Sequence, residues 1–272
     1  MKKLLAVLLA AMMIFTFAAC SDKGTGDGND LDDYQQDDVV IDHIDFENGD
    51  TFYFDSVDSE TVTITKYEGS DLPHALVIPE TLNEKTVVAI SDSAFYACSR
   101  ITSVTFPETV TSIGSFAFAG CVALETLSIP ANIKTIGVGA FQGCVALKTL
   151  TFAQESELSN IEQHTFNGCS ALEAVTIPGY IDTIGTAAFF NCESLASITI
   201  AEGVSVIGAQ SFQNCTALKT LKLPASAASI GQMAFSGSDN LYLDGVDCPE
   251  NSKAEEYIGS MNLGETAPAE EE

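Results

Sequence analysis

Six cysteines recur in step, at 98, 121, 144, 169, 192 and 215, with Cys20 and Cys248 outside the series. A thiol can pair, ligate a metal or attack an electrophile, and each use has its own spacing. Eight cysteines in an exported chain suggest disulfides. One cysteine per repeat, in register, instead stacks the side chains in an inward-facing column. Coils of such a stack lie about 4.8 Å apart, within the roughly 4.4–6.8 Å that a disulfide allows between Cα atoms. Distance therefore permits pairing, while parallel side-chain directions disfavour it. The favoured reading is a column of buried thiols behaving as small hydrophobes. Disulfides are the first alternative. Metal ligation is the remoter one, because there is no C-x-x-C and no paired histidine.

The other chemical motifs fail on context. Gly137-Val138-Gly139-Ala140-Phe141-Gln142-Gly143 approaches a dinucleotide-binding glycine pattern, but it is one copy of a repeat. Gly139 becomes Phe116, His164 and Ala187 in sister copies, and no βαβ unit surrounds it. His43, His74 and His164 sit in three different contexts without a nucleophile elbow. Asp27 to Asp38 evokes a calcium loop, yet position six is Asp32 rather than glycine and position twelve is Asp38 rather than glutamate. Asn214-Cys215-Thr216 fits a glycosylation sequon at an expected buried position. No acid, base, nucleophile or metal set assembles. The expectation is a protein that is not an enzyme and needs neither cofactor nor metal.

The elements behind these cysteines are strictly periodic. Phenylalanine returns at 95, 118, 141, 166, 189, 212 and 235. The step is 23 residues, with one of 25 between Cys144 and Cys169. Fixed-period self-similarity marks a solenoid, whose units bury their apolar side only by stacking. Within the unit headed by Cys121, Leu127 and Ile129 are at strand period and share one face. Pro130, lacking an N–H, ends the strand at a corner. Ile133 and Ile136 re-enter the core, and Gly137 is expected to take a tight, positive-φ turn. Ala140 and Phe141 plug the interior. The two extra residues fall in Ala153-Gln154-Glu155-Ser156-Glu157, at a corner where insertions cost least.

The unit resembles the BspA-like leucine-rich repeat of bacterial surface proteins. The resemblance rests on Ile113-Gly114, Ala117-Phe118, Cys121, Leu124, Leu127-Ser128-Ile129-Pro130, and recurs around Ile184-Gly185 and Ile207-Gly208. It covers about residues 60 to 257. It implies a leucine-rich-repeat right-handed superhelix, mostly β with short convex turns or helical pieces, of about seven coils. It also implies a binding scaffold whose partners are host proteins or neighbouring cells.

Export comes first along the chain. Met1-Lys2-Lys3 and the apolar run Leu4 to Phe17 read as a signal peptide over 1–19. Phe17-Ala18-Ala19-Cys20 resembles a lipobox, which makes Cys20 the acylated mature N-terminus and the membrane link. The alternative is ordinary cleavage near Ala19. Residues 20–45 are Gly- and Asp-rich and read as an acidic flexible tether. Residues 46–91 read as an N-terminal β cap merging into the first coil, with a turn at Tyr67-Glu68-Gly69-Ser70 and a longer corner at Thr81 to Lys85. Residues 92–245 hold the repeats. Leu241-Tyr242-Leu243 reads as a short strand. Residues 246–272 form the other cap, with helical turns at Ser252 to Ile258 and an acidic tail.

Charge narrows the partners. Lys plus Arg is 11 against 38 Asp plus Glu, a net of −27. Nucleic acid needs a basic footprint and is excluded on that ground. The strand residues alternating with the core face outwards in two columns. One is Thr105, Ser128, Thr151, Thr176, Thr199 and Lys222. The other holds Thr126, Thr149, Ser197 and Thr220, together with Ser103 and Ala174. At the strand entrance stand Glu125, Lys148 and Glu173, stacked as alternating charges. These hydroxyl ladders are also good exposed strand residues in their own right. As a face they are the candidate binding surface, without the Tyr, Trp or Arg anchors of a tight hot spot. The reading is a lipid-anchored cell-surface protein binding other macromolecules, in the bacterial envelope and exposed to the exterior. The alternative is a structural envelope protein without a specific ligand.

Overall fold

The computed structural model describes residues 42–69, 72–261 and 263–266. The expected signal peptide, Cys20, the tether up to residue 41, the calcium-like spacer and the tail from residue 267 lie outside the described residues. Among the described residues, no helix is long and apolar enough to cross a membrane.

The described chain is a right-handed solenoid of parallel coils. Each coil gives one strand to a broad sheet. In chain order these are His74–Val77, Ile101–Thr105, Thr126–Ile129, Thr149–Phe152, Ala174–Ile177, Ser197–Ile200, Thr220–Lys222 and Val246–Asp247. Sequential strands are neighbours throughout, so eight coils contribute. Opposite runs a narrow layer of mostly two-residue strands. Lys85–Ile90, Ser112–Ile113 and Thr135–Ile136 pair in one sheet; Asn160–Ile161, Thr183–Ile184, Val206–Ile207 and Ser229–Ile230 pair in another. The arcs between the layers are turns rather than helical pieces.

Two side-chain columns fill the interior. The seven repeat phenylalanines, Phe95 to Phe235, stack with centroids 4.7 to 5.6 Å apart and ring planes within 19°. Each such contact adds roughly 0.5–1.5 kcal/mol beyond the area it buries. Beside them Cys121, Cys144, Cys169, Cys192 and Cys215 are buried free thiols. Each donates to the carbonyl of the phenylalanine one coil back. Cys121 Sγ to Phe95 O and Cys144 Sγ to Phe118 O are both 3.3 Å, and Cys192 Sγ to Phe166 O is 3.4 Å. Burial pushes Cys144 and Cys215 up to about 12. Cys98, at the end of the column, is only partly buried.

Glycine works differently from expectation. Gly137 does not take positive φ; a Cβ there would lie 2.5 Å from the Ser115 backbone nitrogen. Its role is close approach of coils. The left-handed residue comes two positions later, Gly139 at φ 62°, and sister coils hold it with Phe116 at 56° and His164 at 59°. The coil imposes that conformation whatever the side chain, at some strain. The approach column reads Gly114, Gly137, Glu162, Gly185, Gly208 and Gly231. Glu162 is its one interruption, and the narrow layer breaks there, between Thr135–Ile136 and Asn160–Ile161. The inserted corner just before is pinned by Ser156, whose Oγ donates towards Ala131 O at 3.2 Å and Ile133 O at 3.1 Å.

Both ends depart from expectation. Asp42–Asp45, placed in the tether by composition, is a strand paired antiparallel with Thr51–Ser56. Alternation of His43 and Ile44 against Tyr53 and Phe52 outweighs the acidic character. Thr61–Glu68 continues through Tyr67 and Glu68 instead of turning there, because Tyr67 packs on Phe52 and Phe95. The corner at Thr81 to Lys85 is a small hairpin, Thr81–Leu82 against Lys85–Ile90, turning on Asn83 and Glu84 at φ 50° and 64°. At the far end Leu241-Tyr242-Leu243 is not a strand. Keeping a 23-residue step would place Asp244 at the buried position of Leu221. A 3₁₀ turn at Leu243–Gly245 takes up two residues, and Val246 pairs with Leu221 instead. The helix Lys253–Ser260 follows, with Ser252 Oγ accepting from Glu255 N at 3.1 Å as its N-cap.

Candidate binding face

The broad sheet positions the hydroxyl columns. In each strand the core residue is flanked by the two outward ones, as with Leu127 between Thr126 and Ser128. Parallel pairing then aligns like with like. Ser103, Thr126, Thr149, Ala174, Ser197 and Thr220 are consecutive Cα partners. In the second column Ser128 pairs with Thr151, Thr176 with Thr199, and Thr199 with Lys222. Thr105 stands in the same column beside Val77.

Exposure is uneven along it. Thr105, Ser128, Thr151, Thr176 and Lys222 are exposed, as are Thr126, Thr149 and Thr220. Ser197 and Thr199 are half-buried. Thr220 Oγ1 donates to Ser197 Oγ at 2.8 Å, so one rung is satisfied internally. Lys222 meets Asp247 at 3.1 Å, which closes the charged end of the column. Lys148 N donates to Glu125 O at 2.9 Å and Glu173 N to Lys148 O at 3.4 Å, so the three entrance charges occupy successive coils. The face can offer hydroxyl donors and acceptors over a long strip whose charges lie at its C-terminal end and along the strand entrance.

A polar cluster escaped the sequence reading. Asp50 and Tyr67 are 5% exposed, and the Tyr67 hydroxyl donates to Asp50 Oδ1 at 2.5 Å. Its oxygen also lies 2.8 Å from His74 Nε2, which stands 3.6 Å from Asp50 Oδ1. His74 Nδ1 is 3.0 Å from Leu72 O, a carbonyl that only accepts, so Nδ1 carries a hydrogen. Burial, and then the bond to Asp50, push the Tyr67 phenol well up. The cluster ties the N-terminal hairpin to the first strand of the broad sheet. No motif signals it, because its members are 17 and 7 residues apart around a loop. Among the described residues, no group of three or more His, Cys, Asp and Glu is placed to hold a metal ion.

The comparisons agree with this geometry. The model of the BspA type leucine rich repeat region matches residues 76–158 and 154–257, in six copies. A leucine rich repeat protein of T. pallidum is 30% identical, with 80% of this chain and 97% of that one covered and a TM-score of 0.66. A leucine rich cell surface protein of Faecalibacterium prausnitzii is 27% identical over 75% of this chain, with a TM-score of 0.58. A leucine-rich repeat protein of Eubacterium ventriosum is 26% identical over 78%, with a TM-score of 0.63. The chain spans about half the length of these last two, 54% and 51%. No curated protein matches. The solenoid is a non-catalytic scaffold of the kind surface proteins use for binding other proteins. With its repeats, register and glycine spacing accounted for, the chain belongs to the BspA-type leucine-rich repeat family.

Proposed function

We propose that this is a lipid-anchored bacterial surface protein that binds other proteins through the hydroxyl ladder of its broad sheet. One observation carries the reading: two in-register columns of hydroxyls form an exposed, nearly uncharged strip on a chain of net charge −27. A single rung of this kind is weak, and the strip acts through many parallel contacts. The likeness to a cell surface protein supports an exposed position. Cys20 supplies the anchor and residues 21–41 the reach. The test is binding of a surface-protein extract to membranes displaying the chain. Replacing Thr151, Thr176 and Thr199 together by lysine should reduce saturable binding at least tenfold; unchanged binding removes the ladder from the reading. Radiolabelled palmitate should enter the wild type and not Cys20→Ala. Label in both, or in neither, removes the anchor. No saturable partner at any ionic strength leaves a structural spacer.

A further inference from the structure

The two edges of the broad sheet are finished differently. At the C-terminal edge, Val246–Asp247 is followed by chain that folds back, with Leu243 N donating to Gly264 O at 2.9 Å and Asp244 N to Glu265 O at 3.2 Å. The ion pair of Lys222 with Asp247 adds a charged lock. At the N-terminal edge the outermost strand is His74–Val77, paired on one side only, with Ile101–Thr105. The hairpin cap continues the narrow layer instead, through Thr61–Glu68 against Lys85–Ile90. Among the described residues, no strand pairs with the other side of His74–Val77.

The main chain of that strand has a definite polarity. His74 N and Ile78 N donate to Arg100 O and Thr105 O, both at 3.0 Å. Residues alternate direction along a strand, so Ala75 and Val77 turn their N–H and C=O the other way, off the sheet. Sheet edges elsewhere in nature carry Lys, Pro or a bulge that blocks pairing. This one is bounded by Pro73 and Pro79 and has a register shift at His74/Ala75, and between those limits it carries Ala75 and Val77, with Val77 64% and nearby Leu72 71% exposed, the two highest values among the large hydrophobics of the described residues. The surrounding chain, residues 42–91, holds eleven Asp and Glu against Lys66 and Lys85. A strand of like sequence from a second copy is therefore repelled, and a basic one is attracted.

We infer that the His74–Val77 edge is a docking site for an extended peptide segment of a partner protein, added as a ninth strand, with alternating apolar side chains and flanking lysine or arginine. Main-chain hydrogen bonds to Ala75 and Val77 supply affinity, and the acidic cap selects the flanks. The site adjoins the first rungs of the ladder, Ala75 beside Ser103 and Val77 beside Thr105, and its test uses edge variants that leave Thr151, Thr176 and Thr199 unchanged.

The probe is a fluorescent six-residue peptide of alternating valine and threonine between two lysines, titrated against the full chain by anisotropy. Saturable binding is expected, weakened at least tenfold when the peptide backbone is N-methylated on one edge, and at least tenfold when glutamate replaces its lysines. Ala75→Pro removes only a donor that faces off the sheet, and should abolish binding with the melting temperature unchanged. Val77→Lys, which leaves the main chain intact, should weaken it as well. The threonine-to-lysine ladder variant should bind the peptide as the wild type does. Equal binding of the N-methylated peptide, or no effect of either edge variant, overturns the proposal. So does failure to bind because a second copy or the chain's own residues 1–41 occupy the edge, read by sedimentation and by cross-linking.

Discussion

Each end of the phenylalanine column is closed by a tyrosine, and the two tyrosines do it by different means. Tyr67 lies on Phe95 with centroids 5.0 Å apart and planes at 30°, and its hydroxyl is anchored within the Asp50 cluster. Tyr257 meets Phe235 edge-on at 6.1 Å and 69°, carried on an eight-residue helix whose Ile258 is buried. One end is sealed by a polar network over an aromatic stack, the other by an amphipathic helix. The lesson is that a solenoid sets what must be covered, a ring and a sheet edge, and leaves the chemistry of the cover open. The N-terminal cover touches the broad sheet's edge through the His74 side chain, the C-terminal one through main-chain bonds of Leu243 and Asp244 beside the last strand.

The largest effect that separates the middle from both ends is alkaline. The thiol column ends in half-buried Cys98 on one side, and Ser238 takes its place on the other. An unfolded thiol releases its proton above about pH 8.5, while a buried one holds it to about 12. The thiols' contribution is therefore fully present below about pH 8.5 and falls as pH rises through that window. Each thiol removes roughly 1.4 kcal/mol per pH unit within it. Urea unfolding of the wild type should collapse within about two units above pH 8.5. Replacing Cys144, Cys169 and Cys192 by alanine should flatten the slope; an unaltered slope would place its cause outside the column.

Next is the pair of closing tyrosines. Tyr67→Ala should cost about 3–5 kcal/mol, in line with buried aromatics. Half-buried Tyr257→Ala should cost less than about 3, and equal costs would erase the distinction between the ends. Smaller again is Asp50→Ala, at about 1–3 kcal/mol, because it removes the carboxylate acceptor of the buried Tyr67 hydroxyl and leaves it His74 Nε2 alone. Adding Tyr67→Phe should then cost little more, a non-additivity that an ordinary packing role does not produce. Hydrogen exchange should speed up in residues 42–68 and not in 253–260. Ser252→Ala, which removes the helix cap, should cost about 1 kcal/mol and fray only the C-terminal end. Faster exchange at the hairpin would show that the ends are coupled.

The repeats were open to sequence reasoning because one period repeats every burial decision many times. Leu127 and Ile129 inside, with Thr126 and Ser128 outside, follow from alternation alone, and so does the register of both ladder columns. Backbone conformation was hidden. Phe116, His164 and Ala187 give no sign that their φ is positive, since the coil and not the residue demands it. The reason for Gly137 was misassigned because turn and close approach leave the same residue. The ends were least legible, for they occur once. Asp50, Tyr67 and His74 meet only after a hairpin and a loop fold, and Val246 takes the place beside Leu221 that the period assigns to Asp244.

Glu162 has a mechanical side. Force along a solenoid passes from coil to coil through its backbone ladders. Along most of the rod two ladders share that load. Between Ile136 and Asn160 the narrow one is absent, and the broad one, with its four pairs from Thr126–Thr149 to Ile129–Phe152, joins the coils together with arc bonds such as Gly139 N to Gln163 O. With one ladder fewer than its neighbours, this junction divides the stack into two segments that each keep a tyrosine-sealed end.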